Sequence, residues 1–212
     1  MSFFFIDDAG GVSSTTYVGA AGSTGASITI PAGAQAGDIA VLYDVGYNSS
    51  GTPSLVTPSG WTNRVNSTLS TLRAAVFTKV LESGDPGASI TGMDGTFADA
   101  KQMLVFRPNT LATLVSYSTF TTEFTSGNPS AQIAAASGQV PPAIILGGCA
   151  YGSSMAFSTA SPAFDAQIAP SHDRTRMGYK LYSDGASPAD HTIDMNDLGS
   201  LNHLWAGYIT LT

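Results

Sequence analysis

The stretch Leu72–Ile90, LRAAVFTKVLESGDPGASI, contains two β-strand patterns joined by a turn. Its apolar residues lie at every second position, and Arg73 and Lys79 lie on the opposite face of the same extended strand. Gly and Pro then occur together in Ser83–Gly87, where the backbone angles of a turn favour them. This stretch predicts strand, turn and strand rather than helix.

The same alternation of short β-rich runs with turn residues recurs along the chain, and helical spacing of apolar residues is hard to find. We therefore predict an all-β protein, an antiparallel β-sandwich of jelly-roll-like type. The predicted strands are Ser27–Ile30, Ile39–Tyr47, Trp61–Asn66, Leu72–Leu81, Ala88–Thr91, Lys101–Arg107, Leu114–Phe124, Ala143–Tyr151, Ala163–Ile168, Arg174–Ser183, His191–Met195 and His203–Leu211.

A weak internal repeat relates the two parts of the chain. The matched pairs, each 101 positions apart (174 − 73 = 101), are Arg73 and Arg174, Lys79 and Lys180, Gly84 and Gly185, and Thr91 and Thr192. The repeat predicts two similar halves, about residues 27–110 and 111–212, packed as one sandwich domain over residues 27–212. General β patterning is the alternative explanation of these matches.

Residues 1–26 are predicted to form a flexible N-terminal arm, because Ala9–Ala26 is rich in Gly, Ser, Thr and Ala. The arm begins with the apolar run Phe3, Phe4, Phe5 and Ile6. Exposed apolar side chains favour burial against a partner, so this run is a candidate docking segment. The alternative is that the run pairs as a strand in the protein's own sheet.

Composition limits the classes of partner. Charged residues make up only 11% of the chain, and the net charge is -7 with Lys and Arg scattered, which argues against nucleic acid binding. Cys149 is the single cysteine, so no internal disulfide is expected. Neither a signal peptide nor an apolar run of membrane-spanning length is apparent, so we expect synthesis in a cytoplasm and no membrane insertion.

Catalytic patterns are absent from the sequence. It contains no Gly-x-Ser-x-Gly motif, and its only glutamates, Glu82 and Glu123, do not form an evident acid pair. The acidic run Asp194–Asp197 lacks the glycine and the distant glutamate of a calcium loop. We therefore expect no enzyme activity, no catalytic residues, no metal and no cofactor.

Aromatic residues offer one possible ligand site. Exposed aromatic rings stack on sugars, and Trp61, Tyr43 and Tyr47 are candidates for glycan stacking. Trp61 follows a tight turn at the start of a strand, and the alternative is that it closes the end of the sandwich core.

Several motifs resemble a pattern found in bacteriophage proteins. The runs are SITIPAGAQAGDIAVL at Ser27–Leu42, TPSGWT at Thr57–Thr62, AVFTKV at Ala75–Val80 and GDPGAS at Gly84–Ser89. They resemble β-sandwich virion proteins of phages and prophages, which implies a tail fibre, baseplate or capsid decoration protein without catalytic residues. The later run Ser161–Phe164 departs from the pattern where a second Pro-Gly-Trp is expected.

From these features we expect a non-enzymatic structural protein displayed on the surface of a phage particle. Its expected partners are other virion proteins and further copies of itself, with a trimer favoured by analogy with phage decoration and fibre proteins. The alternative function is a carbohydrate-binding module that recognises a glycan on the host surface.

Overall fold

The computed structural model describes most of the first half of the chain and the strands of the second. The described residues are 15–69, 71–91, 100–108, 120–124, 130–133, 143–151, 157–161, 163–168, 175–181, 191–195 and 201–209. Within these ranges the secondary structure is entirely β, which confirms the predicted all-β class, and every strand pairing is antiparallel. The jelly-roll detail stays a prediction.

The strands are numbered along the chain. The first seven are β1 (Thr15–Ser23), β2 (Ile28–Thr29), β3 (Ile39–Tyr47), β4 (Thr62–Leu69), β5 (Leu72–Val80), β6 (Ser89–Ile90) and β7 (Ala100–Pro108). The others are β8 (Phe120–Phe124), β9 (Ser130–Ile133), β10 (Ala143–Tyr151), β11 (Phe157–Ser161), β12 (Ala166–Ile168), β13 (Thr175–Leu181), β14 (His191–Met195) and β15 (Leu201–Ile209).

These strands form two large and two small sheets. The first large sheet has the order β1-β7-β3-β5-β4, and we call it sheet A. The second large sheet, with the order β12-β13-β10-β15-β8, is sheet C. The small sheets are β2-β6, called sheet B, and β11-β14-β9, called sheet D.

Sheet A is buried on both faces because alternate residues of its strands enter two different cores. On one face, Val41, Val76 and Phe106 pack with Met177 and Tyr179 of β13, so this face lies against sheet C. The second core lies on the other face. Its buried members include Leu42, Phe77 and Met103 of sheet A, with Ile28 and Ile90 of sheet B. Strands buried on both faces explain the near-continuous apolar runs of β3 and β7.

The structure corrects the predicted arm. Residues Thr15–Ser23, assigned by composition to the flexible arm of residues 1–26, form β1 and pair with β7 along its whole length. β1 lies at the sheet edge, and besides its backbone pairing with β7 its side chains pack against the two cores, Tyr17 and Ala20 on one face and Val18 and Ala21 on the other. Residues 1–14, including the candidate docking segment Phe3–Ile6, lie outside the described residues.

Candidate functional site

The residues that carry the sequence resemblance lie together at one end of sheet A. Asp38 begins this end at the start of β3, where its carboxylate is almost fully buried. Arg107 donates from Nε to Oδ1 at 2.8 Å and from its terminal nitrogen to Oδ2 at 2.9 Å. Oδ2 also accepts a hydrogen bond from the backbone N–H of Gln35 at 2.8 Å. The carboxylate is therefore fully used in holding the loop to β7, since paired oxygens are the condition for burying it.

The Pro-Ala-Gly and Gly-Asp parts of the pattern shape the loop before β3. Gly37 has φ of 88°, a conformation that glycine adopts without a steric penalty. Its amide donates to the Leu81 carbonyl at 2.8 Å, and the Leu81 amide donates to the Asp38 carbonyl at 2.8 Å. These two bonds connect the loop to the end of β5, so the pattern has a structural role here.

The Pro-Ser-Gly-Trp part forms the turn that enters β4. Gly60 has φ of 79°, and the Trp61 amide donates to the Pro58 carbonyl at 3.1 Å. The Trp61 side chain is only 8% exposed and belongs to the core between sheets A and B. The indole therefore closes the end of this core, and the glycan-stacking role considered for Trp61 has no exposed ring face to support it.

The Gly-Asp-Pro-Gly part forms the turn after β5. The Asp85 carboxylate accepts two hydrogen bonds, from Lys79 Nζ to Oδ1 at 2.8 Å and from the backbone N–H of Glu82 to Oδ2 at 2.6 Å. Burial by itself would raise the pKa of Asp85, but the Glu82 amide and the Lys79 charge together bring it below its ordinary value. Gly87, with φ of 75°, donates to the Ile30 carbonyl and so joins this turn to sheet B.

The other two aromatic candidates lie on β3. Tyr43 is completely buried between sheets A and C, and Tyr47 is a partly buried residue packed against the same core. The Tyr43 hydroxyl lies 2.9 Å from Nδ1 of His203, which is contributed by β15. Tyr43 is thus a contact between the sheets, with no surface available for a sugar. Tyr47 alone of the three candidates keeps partial exposure.

His203 was not singled out by the sequence patterns. Complete burial lowers the pKa of His203 from its ordinary 6.5 to about 4, so the ring is neutral at physiological pH. Within the described residues its Nε2 is buried without a hydrogen-bond partner, as are Oε1 of Gln102 and Oγ1 of Thr175. The position of His203 within an apolar strand was the one sequence feature that could have indicated a buried histidine. No local pattern could indicate its partner Tyr43, which lies 160 positions away.

A second polar pair is buried on the opposite face of sheet A. Lys101 is fully buried, and its Nζ lies 3.3 Å from Oδ1 of Asp44, the residue directly opposite on β3. Pairing is what makes a buried lysine tolerable, because an isolated charge would be strongly disfavoured there. This pair also holds adjacent strands of one sheet.

The described polar groups at this end of sheet A serve the fold. Asp38, Asp85, Lys79 and Arg107 all form ion pairs with one another or bind backbone groups. Among the described residues no group of three or more His, Cys, Asp or Glu is placed to hold a metal. In the same part of the chain, the structure contains no helix with the length and apolar character to span a bilayer. The arrangement can act as a rigid scaffold that presents loops and strand edges.

Comparison of the chain with protein-family models, with curated proteins and with solved structures found no match.

Proposed function

We propose that the protein is a non-enzymatic structural component of a bacteriophage particle, displayed on the particle surface as a capsid decoration, tail fibre or baseplate protein. The observation that carries the proposal is the pattern from Ser27 to Ser89, which resembles virion β-sandwich proteins. Its Gly, Asp and Trp residues build loops, ion pairs and core.

The low charge of the chain supports permanent contacts with neighbouring subunits. Only 11% of the residues are charged, and four of the charged side chains at the end of sheet A are already paired within the chain. Fewer unpaired ions then need to lose water when a contact forms. The partners are other virion proteins and further copies of this chain. The copies form a closed oligomer, and a trimer is favoured by analogy with phage decoration and fibre proteins.

The burial of Tyr43 and Trp61 weighs against a glycan-binding function. Sugar stacking needs an exposed ring face, and these side chains are 0% and 8% exposed. The structural role therefore has more support than host-glycan recognition.

Mass spectrometry of purified particles tests the proposed function. The protein is expected in many copies per particle, at a constant ratio to the major capsid or tail protein through successive purification steps. A host protein of similar abundance in the lysate serves as the control, and its signal should fall with each step. Detection in infected cells together with loss from particles in parallel with that control would disprove the proposal.

A further inference from the structure

We propose that the chain is a fused pair: residues 15–108 and 120–209 are two copies of one seven-stranded unit, and the facing surfaces of sheets A and C are the interface through which such units associate. The partner that fits this surface is a second copy of the unit, supplied here by the same chain. The inference does not depend on the proposed function.

The first support is the strand order. Sheet C, written from its other edge, has the order β8-β15-β10-β13-β12, and sheet A has the order β1-β7-β3-β5-β4. When β11 is left out and the strands of each half are counted along the chain, both sheets have the order first, seventh, third, fifth, fourth. The small sheets agree, because β9 pairs with β14 as β2 pairs with β6. Among the described strands, β11, which adds to β14 in sheet D, is the one without a counterpart in the first half. Shared topology in two sheets of one chain is the arrangement that duplication produces.

The second support is the register of the strands. Ala40 lies opposite Lys79, and Ile144 lies opposite Lys180. The central strands β3 and β10 are both nine residues long and begin 104 positions apart (143 − 39 = 104). When β3 is aligned with β10 in this way, their partner strands β5 and β13 are offset by 101 positions (180 − 79 = 101). The sequence repeat has the same offset. Topology and sequence therefore give the same alignment independently.

Sheet B and sheet D extend this agreement beyond the large sheets. Ile28 lies opposite Ile90, and Ile133 lies opposite His191. From start to start, β14 lies 102 positions after β6 (191 − 89 = 102), so the connection after β13 is only one residue longer than the connection after β5. Small differences in offset elsewhere are expected, because loops tolerate insertions and deletions better than strands do.

The third support is the nature of the contact between the halves. Tyr17 of β1 stacks on Tyr179 of β13 with ring centroids 4.9 Å apart, and Gln102 donates to the Ile168 carbonyl at 2.7 Å. The equivalent central strands β3 and β10 also contact each other. The two halves therefore meet through sheets A and C, with the equivalent central strands in contact with each other.

Engineered disulfides test the equivalence of the registers. Cys149 lies opposite Thr175, and the matching pair in the first half is Val45 opposite Ala74 (149 − 45 = 104, 175 − 74 = 101). Thr175→Cys, and Val45→Cys with Ala74→Cys in a Cys149→Ser background, should each give one disulfide on oxidative folding, because directly opposite residues are within disulfide reach. Arg176→Cys is the control: it lies opposite Gly148, so its thiol and that of Cys149 should stay free.

Thiol counting on the folded proteins separates the outcomes. Disulfides in both test proteins and free thiols in the control support two equivalent registers. A disulfide in the first half combined with free thiols in folded Thr175→Cys protein, or a disulfide in the Arg176→Cys control, would overturn the equivalence. If a cysteine variant does not fold, cleavage of the full chain still tests the interface.

For that cleavage, a site for a specific protease is inserted between Asn109 and Thr110, in the segment that joins β7 to β8, and the folded protein is cut. The two pieces are expected to elute together at the size of the uncut protein. Tyr179→Asp in the same cut protein should release them, whereas Lys180→Gln, whose side chain pairs with Asp165 in its own half, should not. Separation of the unsubstituted pieces without denaturant would overturn the proposed interface.

Discussion

At the scale of single residues, polar groups that could suggest chemistry are engaged in stabilising the fold. Asp38 is the clearest example, since Arg107 and the Gln35 amide occupy both of its oxygens. His203 is the exception in one respect, because its Nδ1 contacts Tyr43 while its buried Nε2 has no partner. A neutral histidine held in this way makes stability depend on pH.

Acid should destabilise the protein through His203. The pKa of His203 in the folded state is about 4 because of its burial, below the ordinary 6.5. The contribution to stability is therefore complete above pH 6.5 and is lost as pH falls towards 4, up to about 3 kcal/mol. Denaturant unfolding at pH 7, 5.5 and 4 measures this loss.

The control for the acid effect is His203→Gln, which removes the titrating ring. The variant should be less stable at pH 7 but lose less additional stability between pH 6.5 and 4 than the unsubstituted protein. Equal losses in the two proteins would show that other groups cause the acid sensitivity.

Trp61 should behave as a core residue. Trp61→Ala is expected to lower the free energy of unfolding by about 3–5 kcal/mol, because a buried indole leaves a cavity between sheets A and B. Tyr47→Ala, at a partly buried position, is the comparison and should cost less. Urea unfolding measures both, and a Trp61 variant of unchanged stability would contradict the packing described here.

At the scale of elements, short β-rich runs bounded by turn residues were the most predictable. The bounds predicted for β3, β10 and β14 match those of the structure, because apolar β-branched runs bounded by turn residues have few alternatives. β1, β9 and β11 were missed: their Gly, Ala, Ser and Thr residues resemble loops, and pairing with a distant strand stabilises them. Register and sheet order depend on contacts far apart in sequence, which local patterns do not contain.

In the candidate site, too, local features could be predicted from the sequence and contacts between distant residues could not. The sequence identified Trp61 and the Gly and Asp residues of the turns, since their spacing is local. It did not indicate the Asp38–Arg107 pair, whose members are 69 positions apart, or the Tyr43–His203 contact between sheets. Burial of Tyr43 also could not be distinguished from exposure by alternation, because both faces of β3 are covered.

Within β13, Gly178 lies beneath the ring of Phe164. A Cβ added at Gly178 would approach three atoms of that ring at 3.0–3.1 Å, closer than ordinary packing. Gly178→Ala should therefore displace the ring and lower the free energy of unfolding by about 1 kcal/mol or more. Gly33→Ala, where no atom lies within 4 Å of the added Cβ, is the control and should change stability little. Similar stabilities for the two variants would contradict the placement of Phe164.

At the scale of the whole molecule, sheets A, B and C share two cores within the part of the chain that the structure describes. The run Phe3–Ile6 precedes β1 and retains the predicted role of docking onto a neighbouring subunit.

Removal of Ser2–Ile6 should separate folding from assembly. The truncated protein is expected to keep its β circular dichroism spectrum and to lose oligomers in light scattering, because the segment adds little to the core. A chain with Phe3, Phe4 and Phe5 changed to Ser is the length-matched comparison and should behave in the same way. Loss of the β spectrum in both would mean that the segment is a strand of its own sheet.

The central claim, that this chain is a structural protein on the outside of a phage particle, is tested most directly by cryo-electron microscopy of the particle. The account predicts repeated surface density, at symmetry-related positions, that accommodates sheets A and C packed face to face. Particles that lack such density and also lack the protein, while infected cells contain it, would contradict the claim.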